Sequence, residues 1–503
     1  MDVREIEQAG KGITAYLAEF SDCFGRCDTE EYLRVYVEGQ NSDLQRKSAE
    51  PMALRAGVPP RSLQAFLGLL SWDEERMVDR LQEIVVRDHS RPFAIGIVDE
   101  TGCPKKGHHT ATVQHQWCGR TGKIDNCVMS VHTAYTAGEF RCLLDSDLFL
   151  PKSWAEDAER RQRAGIPDEA CHRSKPQMAL DQIRRALRNG IRVAAWTFDE
   201  HYGESYDFLD GLETLGQTYV AEVPCRFHGW STAPKLLYRA TPQEMRQGGS
   251  RRRYPRLAKT AARTSEVVDL LRSSPAFRSQ PWTSIQIKEA EKGPLVREVK
   301  AIRFWMKRQG LPTRPHWLIV GRNPLDPDEL KFFVSNAPAG CPLEWLVYVA
   351  YSRWSIEQCF KEEKDELGFD QFEVRGWRSI HRHMYLTQVS HLYLNKMREQ
   401  LIAQERVAEG NGFFSRTTGR RRSTAVPRRK LDAQSDSRRL VGLVSGLSLP
   451  ALRPSAPSRR RGLAYQLSAS SQRHSPSQSS QDDAEKTTPR RHQPPKNAVL
   501  CGK

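Results

Sequence analysis

Two short apolar runs, each stopped by an acid, constrain this chain more than any other feature. Phe93-Ala-Ile-Gly-Ile-Val runs into Asp99 and is followed by Glu100-Thr-Gly-Cys-Pro-Lys-Lys-Gly107. Ile191-Arg-Val-Ala-Ala-Trp-Thr-Phe runs into Asp199 and is followed by Glu200-His-Tyr-Gly203. Short β-branched and apolar runs bounded by Gly and Pro read as buried strands, so each Asp is predicted at a sheet rim. Between them, residues 110–131 alternate around the turn Cys118-Gly-Arg-Thr-Gly122, which predicts an antiparallel hairpin. Residues 143–151 predict a further short strand. Residues 175–189 have helical spacing, with Gly190 where a helix-ending glycine belongs. The fold class is therefore α/β.

A third acid lies far downstream. Tyr351-Ser-Arg-Trp-Ser-Ile-Glu-Gln-Cys-Phe-Lys-Glu-Glu-Lys364 predicts an amphipathic helix running to about residue 367. Arg353, Glu357 and Lys364 are spaced four and seven apart, so they share one polar stripe with a cation on either side of a carboxylate. Most charged helix faces are merely solvated. Combined with two strand-end Asp residues, this Glu completes a set of hard oxygen donors suited to Mg²⁺ or Mn²⁺. Two such ions can clamp the attacking and leaving oxygens of a phosphodiester.

At these residues the chain resembles the DDE transposases of bacterial insertion sequences, in the clan whose signature is Y-x2-R-x3-E-x6-K, and within it the insertion sequence 701 group. Arg353, Glu357 and Lys364 match R-x3-E-x6-K; Ala350 stands at the tyrosine position and Tyr351 follows it. The segments after Asp99 and at Phe332-Phe-Val-Ser-Asn-Ala-Pro338 are similar to the DDE endonucleases. The resemblance implies a ribonuclease-H-like catalytic core with Asp99, Asp199 and Glu357 as catalytic metal ligands. It implies double-stranded DNA as partner, both the element's terminal inverted repeats and the target. The expected chemistry is cleavage at element ends and transfer of a 3′-OH strand, by a homodimer in a synaptic complex. A nuclease of the same fold that cuts without joining, and an inactive DNA-binding regulator, are the alternatives.

The remaining sequence fits around that core. Of 503 residues, 77 are Lys or Arg and 61 are Asp or Glu, a formal net charge of +16, which favours a polyanionic partner. No apolar run approaches the ~20 residues that span a bilayer, and the charged N-terminus lacks a signal core, so a cytoplasmic, nucleoid-associated protein is expected. The eleven Cys are scattered without a CxxC pair, consistent with reduced thiols. Residues 1–90 are predicted to form a helical N-terminal domain. Helical patterns over 44–56 and 62–70, joined by Gly57-Val-Pro-Pro-Arg61, suggest a helix-turn-helix with Ser62 as N-cap and Arg61, Ser62 and Gln64 reaching DNA. A plain helical hairpin gives the same pattern.

Residues 91–224 hold both Asp residues. Glu357 follows Asp199 by 158 positions, more than any simple crossover, so 225–314 is read as an inserted basic β-rich subdomain carrying Arg246, Arg251, Arg252, Arg253, Arg256 and Arg263. Residues 315–408 return to the core with the Glu helix, and 409–503 read as a disordered basic tail with clusters such as Arg420-Arg-Arg422. Arg353 and Lys364 are expected to contact phosphates, and Lys105 and Lys106 to bind the DNA backbone or to lie on a solvated turn. Glu100 and Glu200 would point away from the Asp ligands if their strands continue.

Overall fold

In a computed structural model, the described residues are 12–240, 242–246, 254–290 and 293–415, side chains of 242, 244, 289, 290, 293 and 403–415 excepted. The tail clusters beyond residue 415, and Arg251, Arg252 and Arg253, lie outside them.

Among the described residues, one sheet of twelve strands organises the fold. Its centre is β1 (Ile95–Pro104), β3 (Lys123–Ala137), β4 (Phe140–Leu148), β5 (Ala195–Phe198) and β6 (Tyr219–Val223). β3 runs antiparallel to β1 and to β4, whereas β5 is parallel to β1 and β6 parallel to β5. The central order is β4-β3-β1-β5-β6, with β2 (Gln114–Cys118) also on β3. Parallel neighbours need a crossover, and the amphipathic helix α5 (Lys175–Arg188) supplies the one into β5. It is started by a capping box of Ser174 and Gln177.

After residue 225 the same sheet continues with β7 (His228–Trp230), the short strand Ser265–Glu266, β8 (Thr283–Ala290), β9 (Gly293–Arg308), β10 (Leu311–Asn323) and β11 (Asp326–Ser335), whereas Leu236–Leu237 and Arg256–Leu257 pair in a two-stranded sheet of their own. β11 pairs with β6 and β10, and β10 with β9. The turn between β9 and β10 falls at Gln309 and Gly310, both with positive φ, so one hairpin straddles the boundary expected at residue 314.

Strand alternation gives the sheet two apolar faces. One packs Val98, Trp196, Phe198, Tyr219 and Ala221 on α5. The other packs Ile95, Ile97, Val220, Ile319 and Phe333 on two later helices, α7 (Leu343–Tyr351) and α8 (Trp354–Asp365).

The described residues before β1 are largely helical: α1 (Cys27–Gln40), α2 (Ala49–Arg55), α3 (Pro60–Gly68) and α4 (Glu74–His89). Their apolar sides share a core with β4 and with the long helix α9 (Trp377–Ser415). The fully buried Arg382 of α9 donates to the carbonyls of Phe66, Leu70 and Trp72 and pairs with Glu74 at 2.9 Å. The two-helix pattern at 44–70 is shorter than predicted. Pro51 lies in the first turn of α2, where a missing N–H costs nothing, and 44–48 are not helical. Pro60 at the first position of α3 moves its start ahead of Ser62, so Pro59 takes the N-cap. Among the described residues no helix is long and apolar enough to cross a membrane.

Candidate active site

Asp99 lies mid-strand, not at a strand end, because β1 continues to Pro104 along β3. On the opposite edge β5 pairs only as far as Ile97, so Asp99 lies two positions past that pairing. There the chain of β5 turns away. Asp199 caps the short helix α6 (Glu200–Gly203), its Oδ1 accepting from the backbone N–H of His201 at 3.0 Å. Gly203 lets α6 lie directly on β6, since a Cβ there would fall 1.8 Å from the Glu222 carbonyl oxygen. Asp199 and β6 are thereby fixed against one another.

Asp99 alternates with Ile95 and Ile97, so it faces α7 and α8. Glu100 faces the other way. It pairs with Lys175 of α5 at 2.6 Å and accepts from the Tyr202 hydroxyl at 2.7 Å. Arg353, between α7 and α8, gathers the acids on the Asp99 side. One guanidinium nitrogen donates to Asp99 Oδ2 at 2.7 Å and another reaches Glu357 Oε1 at 2.8 Å. The third, Nε, stands 4.0 Å from Glu222 Oε2. The Glu357 side chain is 57% exposed, whereas Asp99 is buried.

Burial pushes the Asp99 carboxyl up to about 7, against the pull of Arg353, and the charges of Asp199 and Glu100 add to the rise. Burial raises Asp199 as well, with the charge of Glu100 next in size. The charges of Asp99, Glu357, Glu222 and Asp199 outweigh burial and hold Arg353 firmly protonated. The site is thus an acid-rich centre whose own cation only partly compensates it.

Residues 19–294 match the family model described as DDE superfamily endonuclease. This chain belongs to that family. The match contains Asp99 and Asp199 and stops before Arg353. The chain is also 26% identical over 374 residues to a "Probable transposase for insertion sequence element IS701" of Microchaete diplosiphon, covering 74% of this chain and 83% of that one.

The other residues singled out in the sequence of this DDE-family chain divide by exposure. Lys364 is only 6% exposed and donates to Thr101 Oγ1 at 2.5 Å, so its ammonium faces the sheet instead of an open phosphate track. Lys105 is committed too: it donates to the carbonyls of Asp370 and Phe372 and sits 3.3 Å over the Phe372 ring. Lys106 is exposed and lines an open groove of about 550 Å³ with His108, His115 and Arg160. Arg61 and Gln64 are exposed on α3, and Ser62 is half-buried. Tyr351 is largely enclosed, its ring 5.5 Å from Phe333 and its hydroxyl where a Cβ on Gly321 would fall at 2.4 Å. Trp354 is partly exposed, with Lys288 Nζ 3.1 Å over its ring. A cavity of about 830 Å³ lined by Asp145, Asp147, Arg185 and His381 contains none of the three acids.

Sequence reasoning missed Glu222, held by Lys331 at 2.7 Å, although an acid inside the apolar run Tyr219-Val-Ala-Glu-Val223 was a readable signal. It also missed the Lys175 and Tyr202 partners of Glu100, which only the packing of α5 and α6 creates. Among the described residues no three His, Cys, Asp or Glu side chains already form a metal-binding group. The donor set nevertheless fits a hard divalent cation. Asp99 is a buried and Asp199 a half-buried oxygen donor, each raised by burial and further by neighbouring acids, and Arg353 already bridges Asp99 to Glu357.

Proposed function

We propose that this chain is an insertion-sequence transposase that cleaves DNA at element ends and joins the freed 3′-OH to target DNA. One observation carries the reading. Asp99 and Glu357, remote in the chain, meet on a single guanidinium beside Asp199, whose charge reaches Asp99. The central strand order β4-β3-β1-β5-β6 supports a ribonuclease-H-like core, with these acids at the place where β1 and β5 part. The named relative, a transposase for an insertion element, supports the same reading.

In this proposal Asp99, Asp199 and Glu357 are the ligands of Mg²⁺ or Mn²⁺. The bound ions supply activation of water and charge stabilisation at the scissile phosphate. The chain's own residues do the rest. Buried Asp99 and half-buried Asp199 fix position, exposed Glu357 sits on the substrate side, and Arg353 lies close enough to contact a phosphate once released from the acids. Lys106 in its groove, and Arg61, Ser62 and Gln64 on α3, are proposed contacts to double-stranded DNA. A homodimer would hold the two ends in one synaptic complex.

The test uses DNA carrying both element ends with the full chain and Mg²⁺. Wild type nicks the ends and joins a pre-cut 3′-OH end to a target plasmid; Glu357→Gln binds the ends and does neither. Normal cutting by Glu357→Gln refutes the site. The family model's own description, endonuclease, favours one second reading, cleavage without joining. That reading stands if ends are cut but the pre-cut end is never transferred.

A further inference from the structure

We infer that Glu222 is a positioning residue that takes Arg353 away from Asp99 and Glu357 when a divalent ion enters, an inference that rests on the metal reading above.

The geometry of Arg353 carries it. Its three guanidinium nitrogens face three different carboxylates, and only two of the contacts are closed: Asp99 at 2.7 Å and Glu357 at 2.8 Å. The third, to Glu222, stands open at 4.0 Å. The two closed contacts are made to the oxygens an ion needs, so guanidinium and ion compete for Asp99 and Glu357. A displaced Arg353, in a largely buried setting, requires another anion, because an unpaired buried charge is costly.

Glu222 is placed to be that anion. It is on β6, on the face of the sheet turned toward Arg353, and nine-tenths buried. Its other oxygen is held by Lys331 of β11 at 2.7 Å, and its backbone lies under α6 at Gly203. Those anchors keep Glu222 from joining the ligands itself and leave Oε2 facing Nε of Arg353. A pivot of the guanidinium closes that contact and frees the two acids. Lys331 and α6 thus fix where the guanidinium parks.

Mn²⁺ binding to the full chain, followed by loss of the free-ion electron paramagnetic resonance signal, tests this without reference to cutting. Wild type binds Mn²⁺, and Asp99→Asn abolishes that binding. Glu222→Gln weakens binding at least tenfold, and Glu222→Asp stays within about threefold of wild type. In an Arg353→Gln background the Glu222→Gln effect falls below twofold, because no guanidinium remains to be parked. An undiminished effect in that background makes Glu222 a ligand or a distant charge and overturns the inference. Unchanged binding in Glu222→Gln, with Asp99→Asn still defective, overturns it while leaving the metal reading intact. A wild-type chain that leaves the signal untouched overturns both.

Discussion

The two ends of α8 carry the same kinds of residue and do opposite work. In its first turn Glu357 is more than half exposed and meets Arg353 at the acid-rich centre. In its last turns Glu362, Glu363 and Lys364 are buried. Glu362 accepts from Arg141 at 2.5 Å, pairs with His391 at 2.9 Å and lies 3.3 Å from Arg398. These partners hold its carboxyl below the usual range despite burial. Glu363, fully enclosed beside Glu362, is driven the other way by burial, with the charge of Glu362 adding to the rise. Buried charges of this kind add little net stability and specify a unique arrangement, which is the role we assign them here. The lesson is that an acid proposed to be catalytic can be both exposed and fixed if the far end of its helix is locked inside the protein.

Four experiments break or sharpen that contrast. The largest effect belongs to the exposed end: Glu357→Gln should lower cleavage by at least ~10³-fold, equivalent to about 4 kcal/mol, with a melting temperature near wild type. At the locked end, Glu362→Ala leaves Arg141 and His391 without their carboxylate and should cost ~3–5 kcal/mol of stability, read by chemical denaturation. Lys364→Met should cost ~1–3 kcal/mol by stranding the Thr101 hydroxyl, while DNA affinity of the folded protein holds. If affinity falls and stability does not, Lys364 is a phosphate contact and the contrast fails. Smallest is Lys106→Ala, which should weaken binding to all DNA sequences alike and reduce the salt slope by about 1, measured by fluorescence anisotropy across a salt series.

The raised Asp99 carboxyl adds a pH test. Its proton is held more tightly folded than unfolded, so its contribution to stability is full below the ordinary value of 3.8 and is lost as pH rises toward about 7. An ion must displace that proton. Mn²⁺ affinity should therefore rise as pH climbs through about 7, with proton release visible by calorimetry in buffers of differing ionisation enthalpy.

How much of this was legible in the sequence depends on what each residue's surroundings are made of. Asp99 and Asp199 stood out because an acid after an apolar run has few places to go but the edge of a buried sheet. Arg353 and Glu357 were found because four-residue spacing on a helix is itself a contact. Lys364 shares their stripe, as its spacing says, yet a stripe does not reveal which part of it the helix presses onto another element; here Thr101 of β1 claims that end. The partners of Lys105 were hidden for a similar reason, since the carbonyls that capture it lie beyond residue 368 in the chain. The strands after Cys225 were legible as β structure, but their pairing with β6 is a long-range choice that no local pattern encodes.

Tyr351 rests against the bare backbone of Gly321, two residues before Arg353. A single methyl group added to that distant strand would collide with the phenol and tilt the start of α8. The proposed centre is thus geared to a position that carries none of its acids, and damage there would masquerade as a chemical defect.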